Sequence, residues 1–155
     1  MSAKTLALDE RLDHLDLLPA LVVDEAVPFG EVLNRMRQSE RGSVVVCRDG
    51  RVTGIFTERD YLNRCSVESI RPETPISDMM TPHPYTVKVE TTLGQAIELM
   101  HSKGVRNLPL IDAEGRPQGL LTVGRIIRYL AEHFPAEVVN LPPKLHAVSN
   151  EPEGA

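Results

Sequence analysis

The chain contains no tryptophan and, in 155 residues, three phenylalanines and three tyrosines, so its core must be filled by aliphatic side chains. Cysteine is equally scarce. Cys47 and Cys65 show no CxxC spacing, too few for a disulfide framework, which makes a reducing cytoplasm the expected compartment. No 18 uncharged apolar residues run together, and Asp and Arg interrupt the opening MSAKTLALDERLDHLDLL every few positions. Neither a membrane span nor a signal peptide is therefore expected. Positive charge is also short, with 17 Lys and Arg against 22 Asp and Glu and a formal net charge of −5. That balance excludes a whole-chain electrostatic footprint for duplex DNA or an anionic membrane, while leaving room for a local anion pocket. What is there, 41% hydrophobic and 25% charged residues, is the makeup of a soluble globular protein. The length bounds it to one domain or two small repeated units.

The chain contains itself twice. The segment from Val44, VVVCRDGRVTGIFTERDYLN, lies without a gap over PLIDAEGRPQGLLTVGRIIR from Pro109, an offset of 65. Gly50/Gly115, Arg51/Arg116, Gly54/Gly119 and Thr57/Thr122 coincide, and so do the apolar pairs Val45/Leu110, Val46/Ile111, Ile55/Leu120 and Phe56/Leu121. Upstream, Phe29, Leu33 and Met36 match Leu93, Ile97 and Met100 at an offset of 64, so one residue is gained or lost in between.

Each copy reads as strand, helix, hairpin, helix. In the first, ALVV is a strand, and Phe29, Val32, Leu33 and Met36 share one helix face. SVVVC and VTGIF flank Asp49-Gly50, which supplies the positive φ of a tight hairpin, and a helix begins near Thr57. In the second copy YTVKV is the strand, Leu93, Ala96, Ile97 and Met100 form the helix face, LPLID and QGLL flank an Ala-Glu-Gly turn, and Thr122 opens the last helix. The expected fold is α/β (α+β), two β-α-β-β-α units packed face to face around one pseudo-symmetric core. The expected organisation is an amphipathic N-terminal helix with Leu8, Leu12 and Leu15 on one stripe (1–17), repeat 1 (18–66), a Pro-punctuated linker with a helical turn at Ser77 to Met80 (67–80), repeat 2 (81–134) and a flexible tail (135–155).

The strongest local signal is Gly54-Ile55-Phe56-Thr57-Glu58-Arg59-Asp60, a buried strand that ends on a hydroxyl residue and turns directly into a helix. The free N–H groups of a first helical turn attract phosphate oxygens, Thr57 can add a hydrogen bond, and Asp60 can accept from two ribose hydroxyls. The same Thr-x-x-Asp spacing also describes a capping box. Both helix starts need a cap, yet the second copy keeps Thr122 and replaces the Asp by Arg125. Asp60 is thereby marked for something peculiar to one copy.

Paired units that end in Gly-hydrophobic-hydrophobic-Thr-x-x-Asp, with GIFTERD in the first, DMMTPHPYTV entering the second and GVRNLPLID before GLLT, resemble the cystathionine β-synthase (CBS) domain pair over about residues 18–134. The resemblance implies a pseudo-twofold module with two clefts, a regulatory role, adenosine-containing ligands such as AMP, ADP or ATP, and association of two pairs into a homodimer. It implies no obligatory cofactor; Mg²⁺ would accompany only a triphosphate. Carried over by position, Asp60 holds ribose and Thr57 phosphate, while Thr122 matches in the second cleft. Arg125 departs from the family Asp and cannot accept a hydrogen bond; it would instead point toward phosphates in the neighbouring cleft, alongside Arg106 and Arg59. Pro109 matches a strand position where exposed backbone groups would read adenine, with Val44 as its first-copy counterpart.

Competing classes find less support. His14, His83, His101, His133 and His146 are scattered without metal-ligand spacing, and neither cysteine has a base beside it, so an enzyme is not expected. Arg125 and Arg128 lack aromatic stacking partners, so nucleic acid is not an expected partner. The serious alternative is a ligand-free dimerisation scaffold. With no catalytic or transport unit in the sequence, the output is expected to pass to a separate effector protein.

Overall fold

In the computed structural model, residues 7–17, 19–65 and 69–134 are described. The first copy comprises β1 (Val22–Asp24), α1 (Phe29–Ser39), β2 (Ser43–Arg48), β3 (Arg51–Thr57) and α2 (Glu58–Cys65). A short strand β4 (Thr81–Pro82) follows, and then β5 (Val87–Lys88), α3 (Leu93–Lys103), β6 (Asn107–Ile111), β7 (Pro117–Thr122) and α4 (Val123–His133). β1 runs parallel to β2, and β2, β3 and β4 are antiparallel in turn, giving a four-stranded sheet in the order β1-β2-β3-β4. The second sheet, β5-β6-β7, repeats the pattern without a fourth strand.

Strand register locates the inserted residue. Ser43 pairs with Thr57 and Asn107 with Thr122, and both ladders carry a bulge one residue before the hairpin, at Val46/Cys47 and at Leu110/Ile111. The first hairpin closes over Asp49 (φ 51°) and Gly50 (φ 78°), the two positive-φ positions of a type I′ turn. The second needs three residues, Ala113, Glu114 and Gly115, with Gly115 at φ 82°. The extra residue therefore sits in the second turn, and the counterpart of Pro109 is Val45, not Val44. A one-residue slip exchanges the faces of a strand: Val44, Val46 and Phe56 pack with α1, while Val45 and Ile55 are buried on the opposite face.

The expected single core is two. Val23, Phe29, Val32, Met36, Val44, Val46, Phe56, Ile76 and Met79 form one cluster, whereas Leu12, Leu15, Val87, Leu93, Ala96, Met100, Leu108, Leu110, Leu121 and Ile126 form the other. The first uses the scarce aromatic rings, with Phe29 edge-on to Phe56 (centroids 5.8 Å apart) and 5.7 Å from Tyr61. Leu93, Leu121 and Ile126 stand at the corresponding places in the second.

Each core is completed by a segment that leads into the other copy. Ile76 and Met79 belong to the stretch entering copy 2 yet fill core 1; Leu12 and Leu15 precede copy 1 yet fill core 2. Their backbone bonds correspond pair by pair. Phe29 N donates to Thr74 O as Leu93 N does to Glu10 O, and Ile76 N donates to Val27 O as Leu12 N does to Thr91 O. Both segments carry one 3₁₀ turn, Leu12–His14 and Ile76–Asp78. The amphipathic helix expected over the opening residues is thus replaced, within the described part, by the helical Ala7-Leu8, a β-bridge from Arg11 to Thr92 and this turn. The apolar spacing of Leu12 and Leu15 is kept because both are buried, but hydrogen bonds to a neighbouring element outbid those within a helix. The expected tail lies outside the described residues.

Candidate functional site

The two sheets face each other near the pseudo-axis, where Ser43 Oγ lies 3.3 Å from Asn107 Oδ1 and Val52 N donates to Gly115 O (2.9 Å). A cleft opens on either side of this seam. The first, about 740 Å³, is walled by Thr57, Glu58, Arg59 and Asp60 at the β3–α2 junction, by Thr81, Pro82, His83, Pro84 and Tyr85 entering copy 2, and by Gly104, Val105, Arg106 and Asn107 between α3 and β6, with Gly42, Ser43 and Ile55 at its floor. Of the expected site residues, Thr57, Arg59, Asp60 and Arg106 come together here.

Local bonding explains the junction. Thr57 Oγ1 accepts from Asp60 N (3.2 Å), and Asp60 Oδ2 accepts from Thr57 N (3.0 Å) and Thr57 Oγ1 (3.1 Å). This is the reciprocal capping box, so the structural alternative for Thr-x-x-Asp is realised. It does not exhaust the carboxylate: among the described residues Oδ1 takes no hydrogen bond, and Asp60 remains half-buried at the cleft wall. The side chains of Arg59 and Arg106 are exposed and have no ion-pair partner among the described residues. The Thr57, Glu58 and Asp60 amides at the start of α2 are already bonded to Asp60, the Gly42 carbonyl and Thr57. The cleft therefore presents two guanidiniums without an ion-pair partner, the Glu58 carboxylate and one Asp60 oxygen, of which the guanidiniums can hold an anion and the Asp60 oxygen a hydroxyl-bearing group.

Gly54 makes this wall possible. A Cβ there would lie 2.1 Å from Met80 Sδ, so only glycine lets Met80 pass over β3 before β4 pairs with it. Gly119, at the corresponding place in β7, has no atom within 4 Å of such a Cβ.

The second cleft is smaller, about 170 Å³, and is walled by Leu21, Glu40, Arg41, Gly42, Ser43, Leu120, Thr122 and Arg125. Thr122 caps α4 by accepting from Arg125 N (3.0 Å). Arg125 does not reach the first cleft, contrary to expectation. Its guanidinium donates to the carbonyl of Asp16 and is 17% exposed. Pro109 lines neither cleft. It is fully buried in the middle of β6 opposite Leu120, so the expected reading of adenine through exposed backbone at that position finds no support.

Sequence reasoning missed the wall formed by Thr81 to Tyr85. The β4 pairing with Ile55 and Gly54 brings it to the cleft, and its tyrosine ring is 47% exposed with Lys103 Nζ 5.4 Å from the centroid. The proline-punctuated composition that read as a linker was the available signal, because prolines also suit a short edge strand.

Comparison with known proteins bears on this geometry. The CBS domain family model matches residues 16–67 and again 68–132. The chain belongs to the CBS domain family. A 17.7 kDa protein of Acidianus ambivalens is 31% identical over 112 residues, covering 72% of this chain and 67% of that one. The CBS domain-containing protein CBSCBSPB3 of Arabidopsis thaliana is 32% identical over 100 residues, which span 64% of this chain but 18% of the relative. Among solved structures, a CBS domain protein of Pyrobaculum aerophilum complexed with AMP superposes with a TM-score of 0.69 at 20% identity, covering 79% of this chain and 99% of that one. In CBS terms the two clefts are the two spaces between the repeats. No helix among the described residues is long and apolar enough to cross a membrane.

Proposed function

We propose that this CBS pair is a regulatory module that binds an adenosine-containing ligand, AMP, ADP or ATP, in its first cleft and passes the resulting conformational preference to a separate effector protein. The observation that carries the reading is the convergence of Thr57, Arg59, Asp60 and Arg106 on one cleft of about 740 Å³, a volume suited to a nucleotide. In this arrangement the two arginines face phosphate, and Asp60 Oδ1 accepts from ribose while Oδ2 maintains the cap. The AMP held by the Pyrobaculum relative is consistent with this ligand class. Cys47 does not supply a nucleophile to this cleft: it is buried, and burial, reinforced by Asp24, pushes its thiol pKa up, away from the nucleophilic thiolate.

Homodimerisation is part of the proposal. Ile97, Met100, Val105, Val123, Ile126 and Ile127 line an apolar groove of about 300 Å³ along α3 and α4, and Ile127 is 58% exposed. A second copy covering this face would remove that surface from water. Ile127→Glu should then convert a dimer to a monomer in light scattering.

The completed capping box favours one other reading, the ligand-free scaffold, because Thr57 and Asp60 are bonded to each other without any ligand. Thermal unfolding with AMP, ADP and ATP, with and without Mg²⁺, separates the two. A ligand at 100 times its dissociation constant adds about 2.7 kcal/mol, several degrees for a domain of this size. The nucleotide reading expects that shift in wild type and its loss in Asp60→Ala. Equal midpoints with and without every nucleotide would leave the scaffold.

A further inference from the structure

A third cavity, about 550 Å³, is distinct from both clefts and lies where the second hairpin meets the start of β3 and the chain between β4 and β5. Two of its lining residues, Val52 and Gly115, are joined by the N–H to carbonyl bond that ties the two hairpins together. His83 and Pro84 line it as well as the first cleft. His83 takes a left-handed backbone (φ 50°) and its N–H donates to Thr53 O (3.1 Å), which fixes this stretch against β3. Charge in the cavity is unevenly matched. Its carboxylates, Asp112 and Glu114, are both taken by Arg116, whose Nε donates to Asp112 Oδ2 (3.0 Å) and whose Nη2 donates to Glu114 Oε2 (3.3 Å), while Asp112 Oδ1 accepts from the Glu114 and Arg116 amides. Its cations, Arg51 and Lys88, are exposed and have no ion-pair partner among the described residues. Arg51 and Arg116 hold corresponding places in the repeat, yet Arg116 closes on its own turn whereas the stem of Arg51 lies across that same turn, 3.9 Å from where a Cβ on Gly115 would stand. Lys88 reaches the cavity from β5, paired with Ile111 at the entry to the turn.

We propose that this cavity is a further ligand site, taking a small phosphate-bearing molecule whose anionic group is held by Arg51 and Lys88 and whose uncharged body lies against Val52, Pro84 and Ile111. The His83 imidazole adds one N–H donor in either tautomer. Two cations without partners in a confined space favour a polyvalent anion, which gains from both at once. The volume is that of a small-molecule site and exceeds what a bare phosphate fills, so the apolar wall is left for the rest of the ligand. None of Arg59, Asp60 and Arg106 lines this cavity, so the proposal stands apart from the nucleotide reading of the first cleft.

The test titrates pyrophosphate, the anionic group alone, into the full chain at fixed ionic strength and follows backbone amide shifts by nuclear magnetic resonance. Saturable shifts are expected at Val52, Lys88 and Gly115. Their affinity should fall about tenfold or more in Arg51→Gln with Lys88→Gln and stay unchanged in Arg106→Ala. Both substituted side chains are exposed, so the double variant keeps its fold, and either single variant should show part of the loss. Absence of a saturable shift at Val52 and Gly115 with millimolar pyrophosphate overturns the site, and so does equal affinity in wild type and the double variant. Loss in Arg106→Ala with the double variant unaffected places the anion in the first cleft instead and overturns it as well. Phenyl phosphate, which adds an apolar body, should bind more tightly than inorganic phosphate; equal affinities overturn the role given to Val52, Pro84 and Ile111.

Discussion

The two clefts are assembled from corresponding residues of one repeated unit, yet one is open to about 740 Å³ and the other narrowed to about 170 Å³. The helix ends are not the cause: Thr57 and Thr122 cap their helices alike, and Glu40 (φ 55°) and Gly104 (φ 65°) end α1 and α3 in the same left-handed conformation. Three side-chain exchanges make the difference. Asp60 turns back on its own cap where Arg125 reaches across; Arg106 stands free where Gly42 offers nothing; and Met80, fitted over Gly54, is replaced by the exposed Asp16. Duplication supplied two equivalent clefts, and substitution at a few wall positions accompanies the narrowing of one while the other stays open.

The largest effect should come from residues that look peripheral in the sequence. Leu12→Ala and Ile76→Ala each remove a fully buried side chain from opposite cores, and each should cost about 2–5 kcal/mol in chemical denaturation. A loss under about 0.5 kcal/mol for Leu12→Ala, as for an ordinary surface substitution, would show that the opening segment is an appendage and the correspondence is broken.

The two strand glycines sharpen the comparison next. Gly54→Ala drives a Cβ into Met80 and should destabilise by about 1–3 kcal/mol, whereas Gly119→Ala meets open space and should be neutral or slightly stabilising. Equal midpoints for the two would mean that Met80 is not clamped over β3.

Arg106→Ala addresses the first cleft alone. Removing a guanidinium from phosphate should weaken nucleotide affinity about tenfold, near 1.4 kcal/mol, and more for ATP than for AMP in calorimetric titration. Identical losses across mono- and triphosphate would place Arg106 away from the phosphate chain.

The smallest effect concerns the hairpins. The Asp112 carboxyl is held below the usual carboxylate range chiefly by the Arg116 backbone N–H, then by the Glu114 amide and the Arg116 guanidinium. Because its folded-state pKa is depressed, its contribution is present above the unfolded value and lost as pH falls through the folded one. The second hairpin should therefore loosen below about pH 4. Amide exchange at Glu114 and Arg116 as pH is lowered measures this.

Local physics made several features legible before any coordinates. Asp49-Gly50 reads as a turn because only a few residues tolerate two successive positive φ values, and Phe29, Val32 and Met36 read as a buried helix face from their spacing. Thr57 and Asp60 were legible for the same reason: residues three apart at a helix start meet whatever else the chain does. The β2–β6 correspondence was misjudged by one residue, because a gapless match carries Gly50, Arg51 and Gly54 correctly and gives no sign that the second turn is longer. The lead segments were misjudged as helix and linker although Leu12/Ile76 and Leu15/Met79 stand at the same offset as Phe29/Leu93.

What the sequence by itself determined is the unit and its duplication: the order of strands and helices, the hairpin turns, the apolar faces and the capped helix start, all of which depend on neighbours within a few residues. What only the tertiary structure decided is which segment completes which core, where Arg125 goes, and that Thr81 to Tyr85 wall the open cleft. Those outcomes depend on contacts between residues far apart in the chain, as in the Arg125–Asp16 bond that spans 109 positions. A guanidinium's partner is set by which carbonyl or phosphate the fold brings within reach, and nothing in its sequence neighbourhood specifies that.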